Sequence, residues 1–327
     1  MHNSKEILEI INQAIGRISY QRQPGTLYEP IRYVLSLGGK RIRPVLMMLS
    51  YNLYHEDVET ILPQALAIEI YHNYTLLHDD LMDKADLRRG KPTVHKIWND
   101  NAAILSGDTM LVMAYKSMTN HCSPQKLPQL IDLFTETALQ IGEGQQYDMD
   151  FETRNDVTEA EYIEMIRLKT SVLLACSLKI GAILADAPAE HADLLYDFGQ
   201  NLGLAFQLQD DYLDVYGDPA VFGKNTGGDI LCNKKTFLLI HAYNRADSGL
   251  RAQLDNWISK PYGTFNSKEK IEAVTAIYNR LGIRELCKEK TDYYFDKATE
   301  LLGRLPLPAT RKSSLREMAH DLLARKA

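Results

Sequence analysis

Apolar residues recur at spacings of three and four from one end of this chain to the other, and that pattern leaves little room for anything but helices. Ile7, Leu8, Ile11, Ala14, Ile15 and Ile18 form the first stripe. Comparable stripes run through 41–54, 63–82, 101–118, 126–150, 158–184, 192–216, 234–246, 267–281, 284–302 and 309–326. The strict alternation of a half-buried strand is scarce. Breaks fall at Gly38-Gly39, Arg89-Gly90-Lys91-Pro92, Ser123-Pro124, Pro188, Gly217-Asp218-Pro219 and Gly227-Gly228. No low-complexity linker and no strict repeat is present. The expectation is one all-α domain of ten or more helices spanning residues 1–327. Residues 173–184 are apolar around most of the helix circumference, as in the middle of a bundle. A large bundle can hold a site between facing helices.

Charge and cysteine usage narrow the function. The chain carries 37 basic and 43 acidic residues, a net charge of −6, which argues against general nucleic-acid binding because that needs a basic face. Cys122, Cys176, Cys232 and Cys287 lie far apart with no Cys-x-x-Cys pair, so they read as free thiols in a reducing cytoplasm. The start of the chain lacks the basic, then apolar, then small-residue order of a secretory signal. The most apolar stretch, 172–187, is broken by Lys179 and Asp186, so no membrane span is expected.

Two acidic clusters carry the chemistry. The first is Asp79-Asp80-Leu81-Met82-Asp83 and the second Asp210-Asp211-Tyr212-Leu213-Asp214. Each sets carboxylates at i and i+4, on one helix face, where like charges cost a few tenths of a kcal/mol. One such pattern reads as a solvated helix face; two copies, each closing an apolar run, do not. From Ile180 to Gly223 there is no Lys or Arg, while eight acidic residues fall there. The counter-charge must therefore come from outside the segment, and a hard divalent cation such as Mg²⁺ suits oxygen ligands. The loop spacing and central Gly of an EF-hand are missing. Basic residues gather elsewhere: Lys40, Arg41 and Arg43 after two glycines, Arg88-Arg89 after the first cluster, Lys224 and Lys234-Lys235 after the second, and Lys169 within an apolar helix. A lysine there needs a partner or must snorkel to the surface. Acidic clusters with scattered Lys and Arg fit metal-bridged diphosphate chemistry.

The ordered set resembles the trans-isoprenyl diphosphate synthases, the polyprenyl synthetase family. Gly39-Lys40-Arg41-Ile42-Arg43-Pro44, the block from His78 to His95, Gly107-Asp108, the Gly144–Asp148 element, Lys169-Thr170, Phe206 to Asp214, and Gly223-Lys224 with Gly228-Asp229-Ile230 and Lys234 follow one another as in that family. The resemblance covers nearly the whole chain. It implies an isoprenoid-synthase helical bundle with a central substrate cavity. It also implies Mg²⁺-dependent condensation of isopentenyl diphosphate with dimethylallyl, geranyl or farnesyl diphosphate, and a homodimer. By this resemblance Asp79, Asp83 and Asp210 bind Mg²⁺, supported by Asp80, Asp211 and Asp214. Lys40, Arg43, His72 and Arg89 hold isopentenyl diphosphate. Arg88, Lys169, Lys224 and Lys234 hold the allylic diphosphate, and Thr170 and Gln207 turn their oxygens to the allylic cation.

In that family the residues just before the first cluster floor the hydrocarbon pocket. Here Tyr74 stands five before Asp79 and Thr75 four before, with Tyr71 deeper and Met110, Leu111 and Met113 as an opposite wall. An aromatic followed by a small residue resembles geranylgeranyl-type enzymes, so twenty carbons are favoured over fifteen or a longer chain. Three rivals fit less well. A terpene cyclase has no use for Lys40, Arg43 and Arg89, a non-catalytic synthase subunit should have lost aspartates or lysines, and an acidic scaffold leaves the ordered set unexplained.

Overall fold

The computed structural model describes residues 1–18, 22–218, 226–261 and 263–324, and among them it is helical almost throughout. Lys224 and the basic end at 325–326 lie outside the described residues. The helices expected from periodicity are present, including Ser4–Arg17, Ile42–Asn52, Leu62–Met82, Asp100–Thr119, Leu127–Glu152, Ala189–Tyr216 and Ile283–Arg304. Further helices, among them Gly25–Ser36 and Ser248–Ile258, had no stripe clear enough to mark them. The helix expected from 234 begins only at Phe237, where Thr236 caps it by accepting from the Leu239 N–H. The only paired strands among the described residues are Leu87–Arg88 and Lys91–Pro92.

The chain divides into two compact units. One comprises Met1–Thr135, Cys176–Leu195 and Leu307–Leu315; the other comprises Glu136–Ala175, Tyr196–Pro306 and Arg316–Ala327. In the first unit, Leu62–Met82 and Asp100–Thr119 pack closely. A Cβ added at Gly107 would sit 2.1 Å from His78 Nε2, so a residue with no side chain lets the imidazole lie flat on the neighbouring helix. The Ile104 carbonyl is 3.2 Å from the same nitrogen. Ile42–Asn52 is buried on every side from Pro44 onward, as expected for a helix with no polar face.

The second unit holds the largest departure from the expected pattern. The stripe at 158–184 is not one α-helix. Glu159–Ile166 is α-helical, Arg167–Ser171 is a π turn, and Val172–Leu184 resumes the α form. Thr158 and Glu161 close the start as a capping box. π turns are rare and appear mostly as single bulged turns inside α-helices. Here two glycines let the neighbouring helices reach the turn's backbone. A Cβ on Gly144, in Leu127–Glu152, would fall 2.4 Å from the Lys169 nitrogen. One on Gly203, in Ala189–Tyr216, would fall 2.6 Å from the Ser171 Cα. Each contact is to backbone, which cannot rotate away. Gly203→Ala is therefore expected to lower unfolding free energy by about 1–3 kcal/mol, the usual cost of overpacking a core. Urea denaturation followed by circular dichroism measures it, and an unchanged midpoint would remove the clamp from this account.

Candidate active site

The first aspartate cluster ends its helix. Asp79 and Asp80 occupy the last turn of Leu62–Met82 and Asp83 is the C-cap. Carboxylates there face the negative end of the helix dipole as well as one another. Asp80 is only 5% exposed, and burial pushes its carboxyl upward, so its charge depends on a partner. Arg88 supplies one. Its Nε lies 2.9 Å and its Nη2 2.5 Å from Asp80 Oδ1, while Nη2 stands 3.7 Å from Asp79. The tiny hairpin sets this geometry. Leu87 pairs with Pro92 and Arg88 with Lys91, leaving Arg89 and Gly90 as a two-residue loop with φ of 54° and 73°. Both positive angles are those of a type I′ turn, and they send the two arginines to different partners. Arg89 donates to the Gly38 carbonyl.

The basic run after Gly38-Gly39 separates into different tasks. Arg41 is buried and donates to Glu69 at 2.6 Å and to the Leu35 carbonyl at 2.8 Å. Asn73 also donates to Glu69, at 2.7 Å. Arg41 thus anchors the start of Ile42–Asn52, in a left-handed conformation of φ 47°. Arg43 lies 3.1 Å from His72 Nε2. A guanidinium can only donate, so His72 accepts. Burial, then the nearby Arg43, Arg89 and Arg88, hold the His72 pKa well below its usual value. Arg43, Arg89 and a neutral His72 therefore gather beside the exposed Lys40. That is an arrangement that takes an anion.

The second unit arranges its residues along one helix face and the π turn. Lys169 donates to Asp148 Oδ2 at 2.6 Å, and Lys234 stands 3.8 Å from the same oxygen. Burial alone would raise the Asp148 pKa, but Lys234 and Lys169 outweigh it and hold the carboxyl below its ordinary value. Thr170 donates to Gln207 Oε1 at 3.0 Å, and Gln207 Nε2 donates to Asp211 Oδ1 at 2.9 Å. Tyr162 donates to Asp211 Oδ2. Burial, then Asp229, raises the Asp211 pKa to about 7 against the opposing pull of Lys234, Tyr162 and Gln207. Asp214 Oδ2 accepts the Asp229 N–H at 3.0 Å.

Among the described residues no three His, Cys, Asp or Glu side chains form a closed metal cage. Carboxylates one helical turn apart suit Mg²⁺, which is usually bound through one or two carboxylates and completes its shell with water and phosphate oxygens. The donor set fits that ion. The structure thus brings together Arg43, His72 and Arg89 in one unit, and Lys169, Thr170, Gln207, Asp211 and Lys234 in the other. It adds Asp148 and Tyr162, which sequence reasoning gave no role. Asp148 had a signal, since it closes the Gly144–Asp148 element; Tyr162 had none beyond its helical stripe.

The chain-length candidates share an aromatic cluster. Tyr71 is 2% exposed, with ring centroids 5.4 Å from Tyr74 and 5.1 Å from Phe134. Tyr74 in turn packs edge-on to His78 at 4.9 Å. The Thr75 hydroxyl turns back onto its own helix, 2.8 Å from the His72 carbonyl.

Known proteins share the sequence pattern and the fold. The polyprenyl synthetase family model matches residues 24–278. A geranylgeranyl diphosphate synthase of Methanosarcina mazei is 35% identical over 96% of this chain and 94% of its own. A crystal structure of a geranylgeranyl pyrophosphate synthase superposes with a TM-score of 0.94 at 41% identity, covering 100% of both chains. Another geranylgeranyl pyrophosphate synthase, from Corynebacterium glutamicum and complexed with isoprenyl diphosphate and magnesium, superposes at 0.86 with 27% identity over 99% of this chain and 98% of that one. This chain belongs to the polyprenyl synthetase family.

Proposed function

We propose that the chain is a Mg²⁺-dependent prenyltransferase that condenses isopentenyl diphosphate with allylic diphosphates and delivers geranylgeranyl diphosphate. The observation that carries this reading is the pair of lysines, Lys169 and Lys234, drawn to one carboxylate beside Thr170 and Gln207. When bound, Mg²⁺ supplies positive charge for a departing diphosphate. Asp79, Asp83 and Asp210 are its proposed ligands. Lys169 and Lys234 neutralise the same leaving group as the allylic C–O bond breaks, with Lys224 and Arg88 as further donors. Thr170 and Gln207 offer oxygen dipoles to the positive carbon. Lys40, Arg43, Arg89 and His72 hold isopentenyl diphosphate, whose double bond attacks. The released diphosphate takes the final proton. The roles of Asp80, Asp211 and Asp214 are to set this geometry and charge.

Residues 1–327 act as one catalytic domain in this reading, since the family match runs through both units. None of the four cysteines is in a disulfide, which supports a cytoplasmic setting, and no helix among the described residues is long and apolar enough to cross a membrane. A homodimer is supported by Ile104, Leu105 and Val112, exposed by 43%, 59% and 68% along Asp100–Thr119. Sedimentation should give twice the chain mass, and Val112→Lys should shift it toward one; a monomeric parent refutes the dimer.

The deciding assay incubates purified protein with Mg²⁺, isopentenyl diphosphate and each allylic starter in turn, with products sized by chromatography. Twenty-carbon product is expected, and no condensation with any starter sinks the enzyme reading. Tyr74→Ala should lengthen the products, because it removes the ring above Tyr71; an unchanged profile removes Tyr74 from the pocket floor. Asp148→Asn should lower kcat/KM for the allylic diphosphate by about 10–100-fold, the cost of losing a group that orients others at a metal-assisted site. The same variant has a pH signature. Because the folded Asp148 pKa is depressed, its contribution to stability is full above the unfolded value near ~3.9 and fades as pH falls through the lower folded value. Urea midpoints of Asp148→Asn and the parent should therefore differ at pH 6 and converge below about pH 4.

A further inference from the structure

Seven and eight residues separate Tyr162 from Lys169 and Thr170. In an unbroken α-helix, eight residues leave two side chains about 80° apart around the axis. The π turn at Arg167–Ser171 absorbs one extra residue, which brings Tyr162 and Thr170 back to within about 20° of one face. Their partners match that register. Tyr162 reaches Asp211 and Thr170 reaches Gln207, one turn apart on Ala189–Tyr216.

The four side chains form a directed chain of hydrogen bonds. Tyr162 is 1% exposed and donates to one Asp211 oxygen. The other Asp211 oxygen takes the Gln207 amide nitrogen at 2.9 Å. The Gln207 carbonyl oxygen is thereby left on the side of Thr170, whose hydroxyl donates to it at 3.0 Å. Reversing the amide would press Gln207 Oε1 against Asp211 Oδ1, two acceptors at hydrogen-bond distance, and would turn an NH₂ toward Thr170. We propose that Tyr162 is a positioning residue for prenyl transfer, holding Asp211 so that Gln207 presents its carbonyl oxygen, not its NH₂, to a carbocation. This rests on the function proposed above. An oxygen stabilises positive charge at the reacting carbon; an amide NH₂ in the same place opposes it. Tyr162 itself touches no substrate in this account. Phe237 packs beside its ring at 6.4 Å, so Tyr162→Phe keeps the volume and removes only the donor.

The test compares Tyr162→Phe with the parent for binding an allylic diphosphate analogue bearing an ammonium nitrogen at the reacting carbon, and its neutral carbon isostere, by calorimetry with Mg²⁺. The preference for the ammonium analogue should fall about tenfold, the scale of one misdirected hydrogen-bonding group, while affinity for the neutral isostere holds. In turnover, kcat should fall with KM unchanged. In a Gln207→Leu background, Tyr162→Phe should change the preference no further. Equal preference in parent and Tyr162→Phe overturns the proposal, as does a further loss in the Gln207→Leu background. A parent that performs no condensation refutes the proposed function instead, so the two failures are distinct. Should Tyr162→Phe fail to fold, side-chain ¹⁵N spectra of the parent decide, with Gln207→Leu for assignment. A Gln207 amide protected from solvent exchange supports the tether, and a freely exchanging one overturns it.

Discussion

The close approach of three helices in the second unit is the constraint on which its chemistry rests. Gly144 and Gly203 let the Leu127–Glu152 and Ala189–Tyr216 helices reach the backbone at Lys169 and Ser171. The widened turn at Arg167–Ser171 lies at these two close contacts. Lys169 then reaches Asp148 on one neighbour while Thr170 reaches Gln207 on the other. In a regular helix adjacent side chains diverge by about 100°, and here that divergence spans two partners. Packing, not polarity, selects the positions of the charged groups.

Charge placement follows a second rule. Both aspartate clusters lie at the C-terminal ends of their helices, in Leu62–Met82 and Ala189–Tyr216. Mutual repulsion and the helix dipole then act in the same direction, against the carboxylates. A structure optimised only for stability would place bases there. The chain instead draws its compensation from other segments: Arg88 from a hairpin strand and Lys234 from the loop before Phe237–Arg245.

Much of this was legible in the sequence because periodicity reports helices directly. Ile7 through Ile18, or the run from 63 to 82, needs no tertiary information to be read. The π turn left no trace, because residues 172–184 are apolar around most of the helix and a shift of phase does not show there. Gly25–Ser36 escaped the stripe reading, and it holds Pro30 within the helix. Lys169 could be recognised as needing a partner, yet its partner Asp148 lies 21 residues away and is chosen by packing. Among Lys40, Arg41 and Arg43 the letters do not separate a ligand from an anchor. Burial does so, by closing Arg41 onto Glu69.

The two clusters also share an internal asymmetry that helix geometry explains. The first and fifth carboxylates lie about 40° apart around the axis, whereas the second is turned by about 100° from the first. That rotation takes Asp80 and Asp211 off the common face and into the protein, to 5% and 4% exposure. Each is then bound inward, but by different chemistry. Asp80 meets a guanidinium and forms an ion pair. Asp211 meets a phenol and an amide, neutral donors that satisfy its oxygens without cancelling its charge. The paired letters of each motif therefore occupy two settings: an outward face, and an inward residue bonded to its surroundings. In the first cluster the inward residue orients an arginine. In the second it accepts from an amide.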